Sequence, residues 1–199
     1  FKLNRLSKRM IILLAAVSAL GPVGMQILLP ALPVIKQKFY VTNDVAQLTL
    51  SLSMLAIAIG TLVYGPLSDK FGRKRVMLVG IVITIFGSIV CFVADSIMLL
   101  ISGRFIQAFG GAVGLVLARA IVRDVYGPEE AARVIATLVM VMVVLPMMSP
   151  ALGGELMQRF GFEFVFIVIA FASAIAFVFL FLWLPETLVK PVPFEGVKS

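Results

Sequence analysis

The chain has 199 residues, 61% of them hydrophobic and 14% charged, with a formal net charge of +7 and no histidine. A composition this apolar excludes a soluble globular domain, and the lack of histidine excludes His-based zinc sites and Ser-His-Asp triads. With Cys91 as the single cysteine, an internal disulfide and a thiolate metal site within one chain are excluded as well.

A membrane-crossing helix needs about 20 mostly apolar residues. Six stretches qualify: Met10–Ile35, Val45–Tyr64, Val76–Ala94, Ile97–Val122, Ala131–Leu156 and Phe164–Leu184. The first lacks a small-residue cleavage site and exceeds a signal-peptide core, so it reads as a retained span. Ten-residue alternating strands are missing from the sequence, which excludes a β-barrel. The predicted fold class is all-α, a polytopic membrane protein built as a six-transmembrane-helix bundle.

Charge placement sets the predicted orientation. Lys2, Arg5, Lys8 and Arg9 precede the first span, and Lys70, Arg73, Lys74 and Arg75 follow the second. Arg123 and Arg133 flank the fourth-to-fifth link, and Lys190 and Lys198 follow the sixth span. The opposite side receives only Lys36, Lys38 and Arg159. The positive-inside rule then puts both termini in the cytoplasm, and the expected location is a plasma membrane of bacterial inner-membrane type. Nucleic-acid binding needs a basic, aromatic-lined soluble face, which this distribution does not offer.

The segment Gly154-Glu155-Leu156-Met157-Gln158-Arg159-Phe160-Gly161 matches Gly65-Pro66-Leu67-Ser68-Asp69-Lys70-Phe71-Gly72 in its Gly, Leu, basic, Phe and Gly positions. The same offset lays spans one to three over spans four to six, and an odd number of spans inverts the second triplet in the membrane. The expected organisation is a three-helix repeat over 1–95, a second over 96–189, and a cytoplasmic tail or start of a linker over 190–199.

Between spans two and three, Gly65 to Arg75 reads as a short basic turn. Gly60 and Gly65 would allow close helix approach, and Gly72 a tight reversal. The pattern G-x-L-x-D-x-x-G-R-K resembles the loop-2/3 signature of the major facilitator superfamily of secondary transporters. In span one, prolines 22, 30 and 33 remove backbone donors and should kink the helix. The segment LPALPVI, with Pro30 and Pro33, resembles the bicyclomycin/chloramphenicol-resistance exporters among the twelve-span drug:proton antiporters. Those relatives carry an Asp where this chain has Gln26, and an amide hydrogen-bonds but carries no proton. Gln26 is a candidate for substrate contact or for inter-helix hydrogen bonding.

Arg104 lies about two turns inside span four. A cation at that depth faces a cavity or partner, or else snorkels to the outer interface. With Gln107 and Gly110 it forms an R-x-x-Q-x-x-G pattern that resembles the family's fourth-span motif, which is associated with proton transfer. Gly103, Gln107, Gly110 and Gly114 share one predicted helix face suited to close packing. Arg123-Asp124-Val125-Tyr126 resembles the RD-x-Y ending of the same exporters. That resemblance implies a cytoplasmic gate in which Arg73 pairs with Asp124 and Asp69 faces a helix end in the carboxy-terminal half. Span five carries Pro146, Ser149, Pro150, Gly153 and Gly154 in a pattern similar to the antiporter motif G-P-x-x-G-G, with Ser149 for the first Gly. The run Leu184-Pro185-Glu186-Thr187 matches the usual end of span six.

The resemblance implies the amino-terminal half of an exporter of small amphipathic molecules, driven by proton exchange through alternating access. Met25, Gln26, Leu29, Arg104, Gln107 and Met147 are the expected substrate-cavity residues. Expected partners are a small-molecule substrate, protons, the lipid bilayer, and a carboxy-terminal six-span half or a second copy of the chain. No cofactor is expected, and the chain has no G-x-x-x-x-G-K-[ST] nucleotide loop. A non-transporting six-span scaffold is the alternative. An intramembrane enzyme lacks any histidine or membrane-depth carboxylate pair to build on.

Overall fold

A computed structural model describes residues 7–187. The charges at Lys2, Arg5, Lys190 and Lys198 and the 190–199 tail lie outside the described residues. Every regular element among the described residues is helical, and six helical stretches are long and apolar enough to cross a membrane.

The first crossing is compound. Helix α1 (Lys8–Gln26) starts at Ser7, whose hydroxyl accepts from the Met10 amide at 3.3 Å, and it runs through Pro22 without a break. The break comes at Pro30 and Pro33, whose missing N–H groups cannot continue the ladder. A 3₁₀ turn over Leu29–Ala31 bridges to α2 (Leu32–Phe39), which stops at Tyr40 with φ 51°.

The charged turn expected between spans two and three is mostly helix. Helix α3 (Asn43–Phe71) and α4 (Arg73–Phe92) are separated by Gly72 alone, with φ 96° and ψ 146°. A helix of 29 residues is about 43 Å long, against a hydrocarbon core of about 30 Å. The turns after Tyr64 therefore project beyond the apolar run, where Asp69 and Lys70 meet water and headgroups. Helix α5 (Ile97–Val125) is capped by Ser96, which accepts from the Leu99 amide. Helix α6 (Pro128–Phe160) has Pro128 in its first turn with Glu129 and Glu130, a favourable arrangement for its positive end. Helix α7 (Phe164–Trp183) completes the bundle.

Within α6 the ladder stays helical across Pro146 and Pro150. Pro150 has no N–H for the Pro146 carbonyl, and the Ser149 hydroxyl donates to that carbonyl at 2.8 Å instead. A glycine at 149 would leave this oxygen bare in an apolar setting, so the serine in the motif has a local structural reason.

Helix α5 is the central and most buried element, flanked by α4, α3 and α1. Without a hydrophobic drive between helices in lipid, close van der Waals contact holds them, and small residues allow it. A Cβ at Gly110 would fall 2.5 Å from the Thr84 amide nitrogen on α4, and one at Gly114 would fall 2.2 Å from the Val17 carbonyl on α1. The glycine face of α5 is thus divided between two neighbours rather than given to one. Helices α3 and α6 are the least covered, and exposed side chains such as Leu62 and Met147 form broad apolar faces.

Gly65 does not bring helices together, since a Cβ there would meet nothing within 4 Å. The buried stripe of α3 runs through Ala56, Gly60, Tyr64 and Ser68, and Gly65 lies one residue, about 100°, off it. Gly154 is open in the same way, whereas a Cβ at Gly153 would lie 2.4 Å from the Ile27 carbonyl at the break in the first crossing.

Candidate functional site

Two clusters stand out, one at the Gly72 end of the bundle and one at membrane depth. At the Gly72 end, α3 closes with the Gly72 amide donating to the Ser68 carbonyl, and α4 begins at once with Arg73. Arg73 gathers three acids from three parts of the chain. Its Nη1 lies 2.6 Å from Asp69 Oδ1 on α3, and its Nε donates to Asp124 Oδ2 on α5 at 3.0 Å. Its backbone amide donates to Glu186 Oε1 beyond α7 at 2.8 Å, and its guanidinium also donates to the Ser68 hydroxyl.

The Arg73 side chain is 12% exposed, against 25% for Asp124 and 48% for Asp69. Ionised partners make the Asp69 and Asp124 contacts charge-assisted, and the low exposure of the Arg73 side chain separates them from fully solvated surface pairs. Glu186 lies where α4 has unsatisfied amides and its positive dipole end. Asp69, expected against a helix end elsewhere, pairs within the bundle. Gly65 contributes a carbonyl that accepts from Ser68 at 2.8 Å.

At membrane depth, Arg104 does not snorkel outward: it is 2% exposed. Its Nη1 donates to Gln107 Oε1 one turn along α5, the Gln107 amide donates to Ser88 Oγ on α4 at 2.7 Å, and Ser88 donates to the Thr84 carbonyl at 2.8 Å. Arg104 Nε is buried without a partner, and among the described residues no carboxylate pairs with the guanidinium. A buried cation without a counter-ion is costly, which makes Arg104 the candidate functional position at this depth.

Arg104, Gln107 and Met25 line one small cavity together with Gly24, Ser53, Thr84 and Ile169. The other expected cavity residues do not line this small cavity. Gln26, Leu29 and Met147 are exposed, and Gln26 makes no inter-helix hydrogen bond among the described residues. Pro30 and Pro33 sit in the broken crossing, and Pro146 is buried in α6. Sequence reasoning missed Ser88, Thr84 and Glu186. The small-residue spacing Gly80, Thr84, Gly87, Ser88, Cys91 on α4 was the available signal for the first two.

At the opposite end, Lys38 of α2 forms an ion pair with Glu163 and lies 4.9 Å from the Phe162 ring centre. Partial burial pushes the Glu163 carboxyl up, but the Lys38 hydrogen bond, a backbone hydrogen bond and the Lys38 charge outweigh it and hold the group below its usual range.

Six membrane-length helices around a buried, unpaired guanidinium, with the first crossing broken by prolines, define a multi-pass membrane protein of the secondary-transporter class. The chain belongs to the Major Facilitator Superfamily, whose family model matches residues 14–199. It is 31% identical over 150 residues to a bicyclomycin resistance protein homolog of Haemophilus influenzae, covering 75% of this chain and 38% of that protein. It is 28% identical over 178 residues to multidrug resistance protein D of Escherichia coli, covering 89% of this chain and 45% of the relative. The crystal structure of the human organic anion transporter MFSD10 superposes with a TM-score of 0.76 at 22% identity, over 94% of this chain and 50% of the other. The chain thus spans half or less of these proteins, and its fold and relatives are those of transporters rather than enzymes.

Proposed function

We propose that this chain is the amino-terminal six-span half of a proton-coupled exporter of small amphipathic molecules, with both termini cytoplasmic in a bacterial inner membrane. The observation that carries the reading is Arg104: a buried cation with an unpartnered Nε, held by Gln107 beside a cavity in an otherwise apolar bundle. A guanidinium stays charged at neutral pH, so it acts by attracting an anionic group or by lowering the pKa of an acid supplied from the other half. Among the described residues no carboxylate pairs with it, which supports placing the proton-carrying acid in the carboxy-terminal half. The sparsely covered α3 and α6 faces are where that half, or a second copy of the chain, would dock. Arg73 with Asp69 and Asp124 serves as the cytoplasmic gate, and Pro146, Ser149, Pro150 and Gly153 let α6 bend beside the cavity.

The two-repeat organisation, 1–95 and 96–189, is supported by Gly72 and Gly161. They occupy matching repeat positions and have φ 96° and 89°. The test is dye efflux from proteoliposomes under an imposed pH gradient, using the full-length protein that contains this segment. Arg104→Ala should abolish coupled efflux, and Arg104→Lys should retain part of it. Unchanged pH-driven efflux in Arg104→Ala would reject the reading and favour a structural scaffold.

A further inference from the structure

We infer that the Gly72 end of the bundle carries a binding site for the anionic headgroup of a phospholipid, between the end of α3, the start of α4 and the end of α7. A hollow of about 480 Å³ opens there, with Lys70, Lys74 and Arg75 on its wall. Arg73 takes up Asp69 and Asp124 through its side chain and Glu186 through its amide, and Lys70 and Lys74 lie 5.2 and 5.5 Å from the Phe71 and Phe181 ring centres rather than in ion pairs among the described residues. Among the described residues neither Lys70 nor Arg75 has a carboxylate within ion-pair distance. Lys74 Nζ donates to the Phe181 carbonyl at 2.9 Å, which fixes the ammonium at the hollow and leaves it further protons to donate. Glu186 also lines the hollow, so the wall carries three positive groups and one negative.

The rest of the wall decides the kind of anion. Phe71, Leu78 and Phe181 line the same hollow, and the two phenylalanines are 53% and 57% exposed. A soluble phosphate gains nothing from these rings, whereas a phospholipid places its phosphate at the cations and its upper acyl chains on the aromatics. The depth is right for this. The hollow lies just beyond Tyr64, at the start of α4 and near the end of α7, where the apolar runs give way to charge. Basic pockets at this level between membrane helices match anionic headgroups.

Trp183, the only tryptophan, lies outside the hollow's wall, so Phe181→Trp/Trp183→Phe is used to move the single tryptophan onto that wall as a local reporter. In nanodiscs containing that variant, phosphatidylglycerol with brominated acyl chains should quench the relocated tryptophan at least about tenfold more effectively, as an apparent relative affinity, than brominated phosphatidylcholine. The basis is a contribution of about fivefold per basic residue at low salt. The preference should fall in about 1 M salt, where screening acts within about 3 Å. Lys70→Gln/Lys74→Gln/Arg75→Gln should bring the two lipids within about twofold, and Arg123→Gln/Arg133→Gln, which removes charge elsewhere, should keep the preference. Lys70→Gln and Arg75→Gln, each at an exposed position, should lower it singly by about fivefold if the triple variant does not fold. Excess inorganic phosphate should leave the quenching unchanged. Equal quenching by the two lipids, a preference that survives the triple or both single substitutions, an equal loss in the Arg123/Arg133 variant, or displacement by inorganic phosphate would each overturn the lipid assignment.

Discussion

Gly72→Ala tests whether the junction between α3 and α4 depends on the positive-φ backbone that glycine allows there. With φ 96° and ψ 146° the backbone lies in a region open almost only to glycine, and a side chain there costs about 1–3 kcal/mol. The new Cβ would also fall 2.5 Å from Glu186 Oε2 and 2.9 Å from its Cδ. The Glu186 carboxylate is a flexible end and can retreat, but it then gives up the 2.8 Å bond from the Arg73 amide, worth about 1 kcal/mol. The expected loss is about 2–4 kcal/mol, which for a chain of this size lowers the thermal midpoint by about 5–15 °C. Trp183 fluorescence during heating in detergent measures it. Gly72→Ala/Glu186→Ala removes the collision and keeps the backbone strain, so it should recover no more than about 1 kcal/mol relative to Gly72→Ala. Gly65→Ala, inside α3 with nothing within 4 Å, should leave the midpoint unchanged or raise it through better helix propensity. A Gly72→Ala midpoint within about 1 °C of the parent, set against the slope of about 2–4 °C per kcal/mol, would refute the reasoning. So would a Gly65→Ala cost equal to that of Gly72→Ala.

Ser149→Ala should cost about 1–2 kcal/mol in thermal unfolding by baring the Pro146 carbonyl, and Ser149→Ala/Pro150→Ala should recover it because the new amide at 150 can refill that acceptor; an unrecovered double variant would contradict this account. Arg73→Asp and Asp124→Arg should each impair transport in the full-length protein, and combining them should restore it only in part, because Asp69 and Ser68 also hold Arg73. Complete rescue, or none with protein levels intact, would count against the network. The Lys38–Glu163 pair should contribute under about 1 kcal/mol. Since the Glu163 pKa is lowered on folding, that stability is present above the unfolded carboxylate pKa and is lost as pH falls through the folded value. Lys38→Met should therefore lower the midpoint at neutral pH and much less near pH 3, below the usual carboxylate range; an equal drop at both would remove the charge from the explanation.

The six crossings were legible because a span is set by a run of apolar residues, which one sequence displays directly. Their ends were not. Helical hydrogen bonding continues through Asp69 and Lys70 once α3 leaves the hydrocarbon, so composition changes before conformation does. Arg104 was legible as a functional candidate from depth alone, and the Arg73–Asp124 pairing came from motif resemblance. Ser88 was not legible, because its bond to Gln107 depends on the register between α4 and α5. Glu186 meets Arg73 across 113 positions, a contact no local pattern encodes. Pro30 and Pro33 marked a kink in span one, but not the direction in which the chain leaves it. The 3₁₀ turn at Leu29–Ala31 has about 3.0 residues per turn instead of 3.6, so it changes the direction of everything after Gln26.

The single residue between Phe71 and Arg73 leaves the two helices no slack. Consecutive α-carbons are about 3.8 Å apart, so a one-residue joint cannot absorb a displacement of several ångströms between α3 and α4, and Glu186 reaching the Arg73 amide extends the tie to the segment after α7. A tilt imposed on α3 must therefore move the start of α4 and draw on the end of α7. Motion of this half should then be that of a solid body, with bending left to the proline-broken first crossing and to α6.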